Sequence, residues 1–117
     1  AYAPPRGRLL LAGPQDAAVG CIALRPLDLV APDGGPVAEV KRLYVQPEAR
    51  GDALGARLAQ ALLAEADAIG DRALMLDTLE WMKPARTLYA RLGFRECAAY
   101  YHNPHPGVVY MTRVRTG

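Results

Sequence analysis

One long segment with helical periodicity, enclosed by two strand-like segments, constrains the fold of this chain more than any other feature. From Gly55 to Ile69, apolar residues recur every three or four positions, which is typical of a helix with one buried face, and Gly70 is a natural stop. The apolar segments Val37 to Val45 and Ala73 to Leu79 enclose this helix. A strand, a helix and a strand at this spacing form a βαβ crossover, so we expect the two strands to be parallel.

Further strands are predicted on both sides of this crossover. Short turns would join the earlier strands into an antiparallel meander, while a second helix and a final strand pair would follow. The additional predicted elements are strands at Arg8 to Ala12 and at Ala18 to Leu24 (ended by Pro26), a turn at Ala31 to Pro36, a helix at Pro84 to Leu92, and strands at Arg95 to Tyr101 and Val108 to Val114. We therefore expect one α+β domain over residues 1–117, with a mixed, mostly antiparallel six-stranded sheet and two main helices.

Composition excludes several classes of protein. A net charge of +2 is too small to indicate a nucleic-acid-binding protein by electrostatics alone. The sequence has no signal peptide and no run of about 20 apolar residues that could span a membrane. Cys21 and Cys97 follow no metal-ligand spacing and are expected to be buried thiols in a reducing compartment. These observations predict a cytoplasmic protein that binds neither nucleic acid nor membranes.

The sequence RGDALG, from Arg50 to Gly55, predicts an anion site at the start of the first long helix. A helix start leaves backbone N–H groups unpaired and carries partial positive charge, and glycines let a phosphate approach the backbone closely. The alternative is an ordinary helix start made flexible by glycine. The dinucleotide-binding pattern G-x-G-x-x-G and the P-loop pattern do not occur here.

This segment resembles the acetyl-CoA pyrophosphate loop of the GNAT superfamily of N-acetyltransferases, whose pattern is [RQ]-x-x-G-x-[GA]. Six residues occupy the pattern, with alanine where the family usually has glycine: Arg50, Gly51, Asp52, Ala53, Leu54 and Gly55. The sequence ARTLYARLGF in the second helix also resembles the family signature A-x-x-L-Y-x-x-x-G-F, and the order of elements agrees. The chain is therefore identified as similar to this superfamily over nearly its whole length.

The resemblance implies transfer of an acetyl group from acetyl-CoA directly to a primary amine of a small molecule or peptide, without a metal. Tyr89 would protonate the leaving thiolate, and the alternative is a structural tyrosine. Glu39, expected among apolar neighbours, would be the general base, and the alternative is an ordinary ion pair with Lys41 or Arg42. A different class of function also remains open: a non-catalytic acyl-CoA-binding or regulatory module.

The resemblance further implies which residues contact each substrate. The backbone of one strand would lie along the pantetheine arm of acetyl-CoA, and helix-start N–H groups would bind its phosphates. The implied cofactor contacts are Leu43, Tyr44, Val45, Arg50, Gly51, Asp52, Ala53, Leu54, Gly55, Ala56, Ala85 and Tyr89. Asp77 and Thr78 would contact the acceptor. Tyr100 and Tyr101 would shape its pocket or cover the sheet.

Two further expectations concern a metal site and the oligomeric state. His102 and His105 are three residues apart in a proline-interrupted loop, so no metal site is expected there. Members of the family normally begin with a strand and two helices that this chain lacks. We therefore expect an apolar surface where that segment would pack and a tendency to form a homodimer.

Overall fold

The chain folds as a six-stranded mixed sheet with two helices. The computed structural model describes residues 7–12, 20–45 and 54–115. The elements in chain order are β1 (Arg8–Ala12), β2 (Gly20–Val30), β3 (Pro36–Val45), α1 (Leu54–Ile69), β4 (Ala73–Leu79), α2 (Lys83–Arg91), β5 (Arg95–Cys97) and β6 (Val108–Val114). The strand order is β1-β2-β3-β4-β6-β5, and the one parallel pair in this described sheet is β3 with β4. The predicted α+β class, antiparallel meander and βαβ crossover are confirmed.

The main core lies between the sheet and its two helices. Helix α1 buries Leu58, Ala59, Leu62 and Ala66, which recur at the spacing of one helix face. These residues pack with strand residues such as Ile22 and with the second helix. Gly70 ends α1 at a φ of +100°, a conformation that glycine adopts without steric strain.

The predicted end of the second strand at Pro26 is wrong, because β2 continues to Val30. β1 pairs with β2 no further than Leu24, whereas β3 pairs with the following residues and places Ala38 opposite Pro26. Pro26 therefore lies where the described part of β2 has a strand on one side. A proline is tolerated there because its missing N–H can face the unpaired side.

The predicted fifth strand is too long, because β5 spans Arg95–Cys97 instead of extending to Tyr101. Tyr100 and Tyr101 lie in a bend after the strand, where each hydroxyl donates a hydrogen bond to a carboxylate. These contacts draw the two side chains toward β3 and β4.

The two parallel strands separate after three residue pairs. β3 and β4 are in register from Val37 opposite Ala73 to Glu39 opposite Met75. Beyond this point β4 remains paired with β6 along its full length, whereas β3 remains paired with β2 alone. Arg42 and Leu43 form a bulge in β3, since Lys41 and Tyr44 lie opposite Ala23 and Cys21. The structure therefore has a cleft between the ends of β3 and β4.

Truncation of Leu62 is expected to test the core between α1 and the sheet. Leu62 is 1% exposed, so Leu62→Ala should lower the free energy of unfolding by about 2 to 5 kcal/mol. The matched variant Leu11→Ala, at a side chain 63% exposed on β1, should change it by less than about 1 kcal/mol. Chemical denaturation measures both values, and equal losses would contradict this assignment of the core.

Candidate functional site

The cleft between β3 and β4 has a volume of about 400 Å³. Because the strands separate there, its lining includes side chains from both faces of the sheet: Val40 and Lys41 of β3, Asp77, Thr78 and Leu79 of β4, Met82, Ala85 and Tyr89 of the α2 region, and Asn103, His105 and Val108. Four predicted site residues thus meet in one cleft, namely Ala85, Tyr89, Asp77 and Thr78. Of these, α2 contributes two and β4 contributes two.

Tyr89 is held by its ring while its hydroxyl lines the cleft. The side chain is 7% exposed, and its ring meets that of Phe94 edge to face at a centroid distance of 5.5 Å. The Tyr89 hydroxyl forms no hydrogen bond with any residue in the described ranges. Burial, and to a smaller extent the nearby Asp77 carboxylate, raise the pKa of Tyr89 to about 12. Tyr89 therefore retains its proton well above neutral pH.

The raised pKa of Tyr89 predicts a specific loss of stability in alkali. The unfolded chain releases this proton near pH 10, whereas the folded chain holds it to about pH 12. The stabilising effect of the neutral side chain is therefore complete below pH 10 and is lost as the pH rises to about 12. The unfolding free energy of the wild type minus that of Tyr89→Phe should be constant below about pH 9. Above that pH, this difference in unfolding free energy should fall by about 2 to 3 kcal/mol. Denaturant titrations at a series of pH values up to about 12 measure the difference, and a constant value would contradict the burial of Tyr89.

Asp77 connects the cleft to a chain of charged groups. Its carboxylate accepts hydrogen bonds from the Tyr101 hydroxyl and, at 3.2 Å, from Nδ2 of Asn103. The Lys41 ammonium lies 3.4 Å from Oδ1 of Asp77 and 3.5 Å from Oε2 of Glu39. The same ammonium lies 5.4 Å from the centre of the Tyr101 ring. Lys41 therefore bridges two carboxylates, one in the cleft and one beside it.

The expectation of apolar neighbours around Glu39 is wrong. Its side chain is 1% exposed, but Arg25 Nε donates to Oε1 at 2.9 Å and the Tyr100 hydroxyl donates to Oε2 at 2.6 Å. The ion pair with Lys41 is present, whereas Arg25 is an additional partner that the sequence did not indicate. Glu39 faces a second pocket of about 210 Å³, which Lys41, Tyr100 and Tyr101 also line.

Most of the proposed phosphate-binding loop lies outside the residues that the structure describes. Arg50, Gly51, Asp52 and Ala53 are outside the described residues. Leu54, Gly55 and Ala56 form the first turn of α1, where backbone N–H groups have no partner within a helix. Leu54 packs against the main core and lines a separate pocket with Leu10 and Leu11.

The sequence indicated neither the hydrogen bonds of Tyr100 and Tyr101 to the two carboxylates nor the contacts of three further residues. It places Lys41 close to Glu39 but does not show that Lys41 also contacts Asp77. Arg25 reaches Glu39 because β2 extends past its predicted end and places the two residues in register. Asn103 has no signal in the sequence, since the fold of its loop brings it to Asp77.

Three further observations concern the described residues. These residues contain no group of three or more His, Cys, Asp or Glu side chains that could hold a metal ion. Neither helix is long and apolar enough to cross a membrane. Cys21 and Cys97 are half-buried, so the expected full burial is wrong, although burial does raise the pKa of the Cys97 thiol.

A mixed sheet of this strand order, opened between its parallel strands and covered by two helices, defines an N-acyltransferase fold. The sequence profile of the acetyltransferase (GNAT) family matches residues 2–94, and the chain belongs to this family. Both the family resemblance and the predicted fold class are therefore confirmed.

Three known proteins illustrate the similarity. An uncharacterized N-acetyltransferase of Schizosaccharomyces pombe is 43% identical over 112 residues, which cover 94% of this chain and 65% of that protein. A crystal structure from Klebsiella pneumoniae, described as an acyl-CoA N-acyltransferase, is 33% identical with a TM-score of 0.75, over 96% of this chain and 74% of that chain. A GNAT acetyltransferase from Elizabethkingia anophelis, solved with acetyl-CoA bound, shares the fold at 20% identity and a TM-score of 0.73, over 94% and 77% of the two chains. The chain thus spans about two thirds of the length of the yeast relative.

Proposed function

We propose that this chain is an N-acetyltransferase that moves the acetyl group of acetyl-CoA to a primary amine in the cleft between β3 and β4. The observation that carries the proposal is the early separation of these parallel strands beside Tyr89. Membership in the GNAT family and the acetyl-CoA bound to the Elizabethkingia relative support the choice of donor. The acceptor would be a small molecule or peptide, and a cytoplasmic location is part of the same proposal.

Acetyl-CoA would supply a thioester as the acyl source, and the features of this cleft fit it. The edge of β3 past Glu39 is not paired with β4. The backbone of Leu43, Tyr44 and Val45 would lie along an extended pantetheine arm at this edge. Arg50 and the N–H groups from Gly51 to Ala56 would bind the diphosphate. From α2, Ala85 and Tyr89 would contact the end of the arm that bears the sulfur.

Tyr89 would donate its proton toward the sulfur as negative charge develops there. The pKa of about 12 lies about 3.5 units above that of an ordinary thiol, so complete proton transfer in the resting site would be unfavourable by about 5 kcal/mol. A hydrogen bond that strengthens as the thiolate forms avoids this cost. We therefore infer that the main role of Tyr89 is to stabilise the leaving sulfur by a hydrogen bond, and that protonation of the sulfur is a secondary role.

A carboxylate would take the proton of the acceptor, since an alkylammonium has a pKa of about 10.4 and is not nucleophilic while charged. Asp77 lines the cleft and would contact the amine directly, with Thr78 beside it. Glu39 stays in the proposal as the base predicted from the sequence, but it does not line the cleft. It would act through Lys41, which contacts both carboxylates.

The deciding experiment measures thiol release from acetyl-CoA with a panel of primary amines, alongside calorimetric binding of CoA. Release that depends on an amine, with an acetylated product in the mass spectrum, is expected. CoA binding without release for any amine would favour the alternative, a non-catalytic acyl-CoA-binding module.

A homodimer also remains a proposal. Leu9 and Leu11 of β1 are 50% and 63% exposed. Leu10, between them, packs against the core on the helix side, so its two neighbours lie on the opposite face of the sheet. This face is the apolar surface on which a second copy would pack.

A further inference from the structure

Two exposed aromatic rings stand at the rim of the cleft. Trp81 is 57% exposed, and its ring lies 5.8 Å from that of His105, with an angle of 45° between the planes. Met82, which follows Trp81, is 43% exposed and lines the cleft together with His105. The mechanism proposed above uses neither ring.

The indole of Trp81 is seated against the backbone of a neighbouring loop. Gly107 has a φ of +78°, and a Cβ atom at this position would lie 2.8 Å from Cζ3 of Trp81. Glycine is therefore required for the ring to come this close. The N–H of Glu80 donates to the carbonyl of Gly107 at 2.8 Å, and Arg86 donates to the carbonyl of Glu80 at 2.9 Å. These two hydrogen bonds fix the backbone of Glu80, the residue before Trp81.

The ring of His105 is also fixed. Its Nδ1 lies 2.9 Å from the carbonyl oxygen of Pro106, and this nitrogen must carry hydrogen because a carbonyl can only accept. The backbone N–H of His105 donates to Oδ1 of Asn103 at 2.9 Å. Hydrogen bonds thus fix the segments that carry the two rings, and both side chains are exposed.

Asn103 joins this pair of rings to the reacting end of the cleft. Its Oδ1 accepts from His105, and its Nδ2 donates to Oδ2 of Asp77 at 3.2 Å. One side chain therefore joins the backbone of His105 to the carboxylate that would receive the proton of the amine. A rigid, exposed aromatic surface next to a reacting group is suited to bind a flat ring, because little conformational entropy is lost on stacking.

We propose that Trp81 and His105 form a stacking platform for the acceptor, and that the acceptor is an amine joined by a short linker to an aromatic or heteroaromatic ring. The amine would lie at Asp77 and the ring would stack on the Trp81 indole, with the His105 ring, tilted by 45° from the indole, alongside it. This inference rests on the proposed function, since it names the class of acceptor for the same cleft.

The test compares 2-phenylethylamine with 2-cyclohexylethylamine, which have the same linker and similar size but differ in the ring. Trp81 is the single tryptophan of the chain, so its fluorescence reports directly on the platform. A saturable fluorescence change is expected with the phenyl amine and not with the cyclohexyl amine. The ratio of kcat/KM values should favour the phenyl amine roughly 3- to 10-fold.

Variants assign the effect to the platform. Trp81→Ala should bring the ratio of kcat/KM values close to one, while Trp81→Phe should retain most of the preference. Tyr89→Phe should lose turnover and keep the fluorescence change, since binding of the ring does not need the hydroxyl. Trp81 is exposed, so neither of its substitutions should affect folding.

The outcomes separate this proposal from the proposed function. Equal kcat/KM values for the two amines without a fluorescence change would overturn the platform and leave the acetyltransferase intact. A fluorescence change without turnover of any amine would overturn the acetyltransferase and leave the platform. If CoA alone changes the fluorescence and Trp81→Ala raises the KM for acetyl-CoA instead of altering the ratio, the rings bind the donor and the proposal is wrong.

Discussion

Replacement of Tyr89 by phenylalanine is expected to lower kcat by about 10²- to 10³-fold, while the affinity for acetyl-CoA changes by less than about twofold. The hydroxyl lines the cleft and has no hydrogen-bond partner among the described residues, so its removal leaves no buried group unsatisfied. The ring keeps its contact with Phe94. The loss should therefore appear in the chemical step and not in binding or folding.

Steady-state kinetics and CoA calorimetry together measure this effect of Tyr89→Phe. The melting temperature at neutral pH serves as the control and should equal that of the wild type. If the variant turns over at the wild-type rate, Tyr89 is a structural residue of the core and a water molecule or another donor protonates the sulfur.

Replacement of Asp77 by asparagine is expected to lower kcat/KM for the amine by about 10²- to 10³-fold, because no carboxylate would then contact the acceptor in the cleft. Glu39→Gln should lower kcat/KM less, about tenfold, since Glu39 would act through Lys41. Raising the pH toward 10 should restore part of the activity of Asp77→Asn, as more of the amine is already uncharged. Tyr89→Phe should show no such recovery.

A carboxylate of similar type outside the cleft provides the control for these variants. Asp67 on α1 forms a surface ion pair with Arg113 at 3.5 Å, so Asp67→Asn should leave kcat/KM unchanged. If Glu39→Gln has the larger effect and shows the alkaline recovery, then Glu39 is the base and Asp77 only binds the acceptor.

Local patterns predicted the elements whose signal is contained in their own sequence. The periodicity of α1 and the apolar run of β4 gave their extents to within one residue, and together they determined the parallel pair. The motif around Tyr89 placed that residue on the helix that lines the cleft. These features need no information about distant residues.

The surroundings of Glu39 could not be predicted in the same way, because they depend on the register between strands. Arg25 lies opposite Glu39 because β2 continues past Leu24, and Pro26 is tolerated since β2 has a neighbouring strand on one side only at that point. Tyr100 reaches Glu39 because β5 stops at Cys97 and the chain bends. A prediction made from β3 alone therefore gives Glu39 apolar neighbours. In the folded chain, side chains from β2 and from the segment after β5 contact it instead.

The short register between β3 and β4 divides the sheet into two halves. One half is β1, β2 and β3 with α1 packed on them, and the other is β4, β6 and β5. Three residue pairs form the backbone connection between the halves. A donor that hydrogen-bonds to β3 within this gap would act as an additional strand, so occupancy of the cleft and the stiffness of the whole domain are coupled.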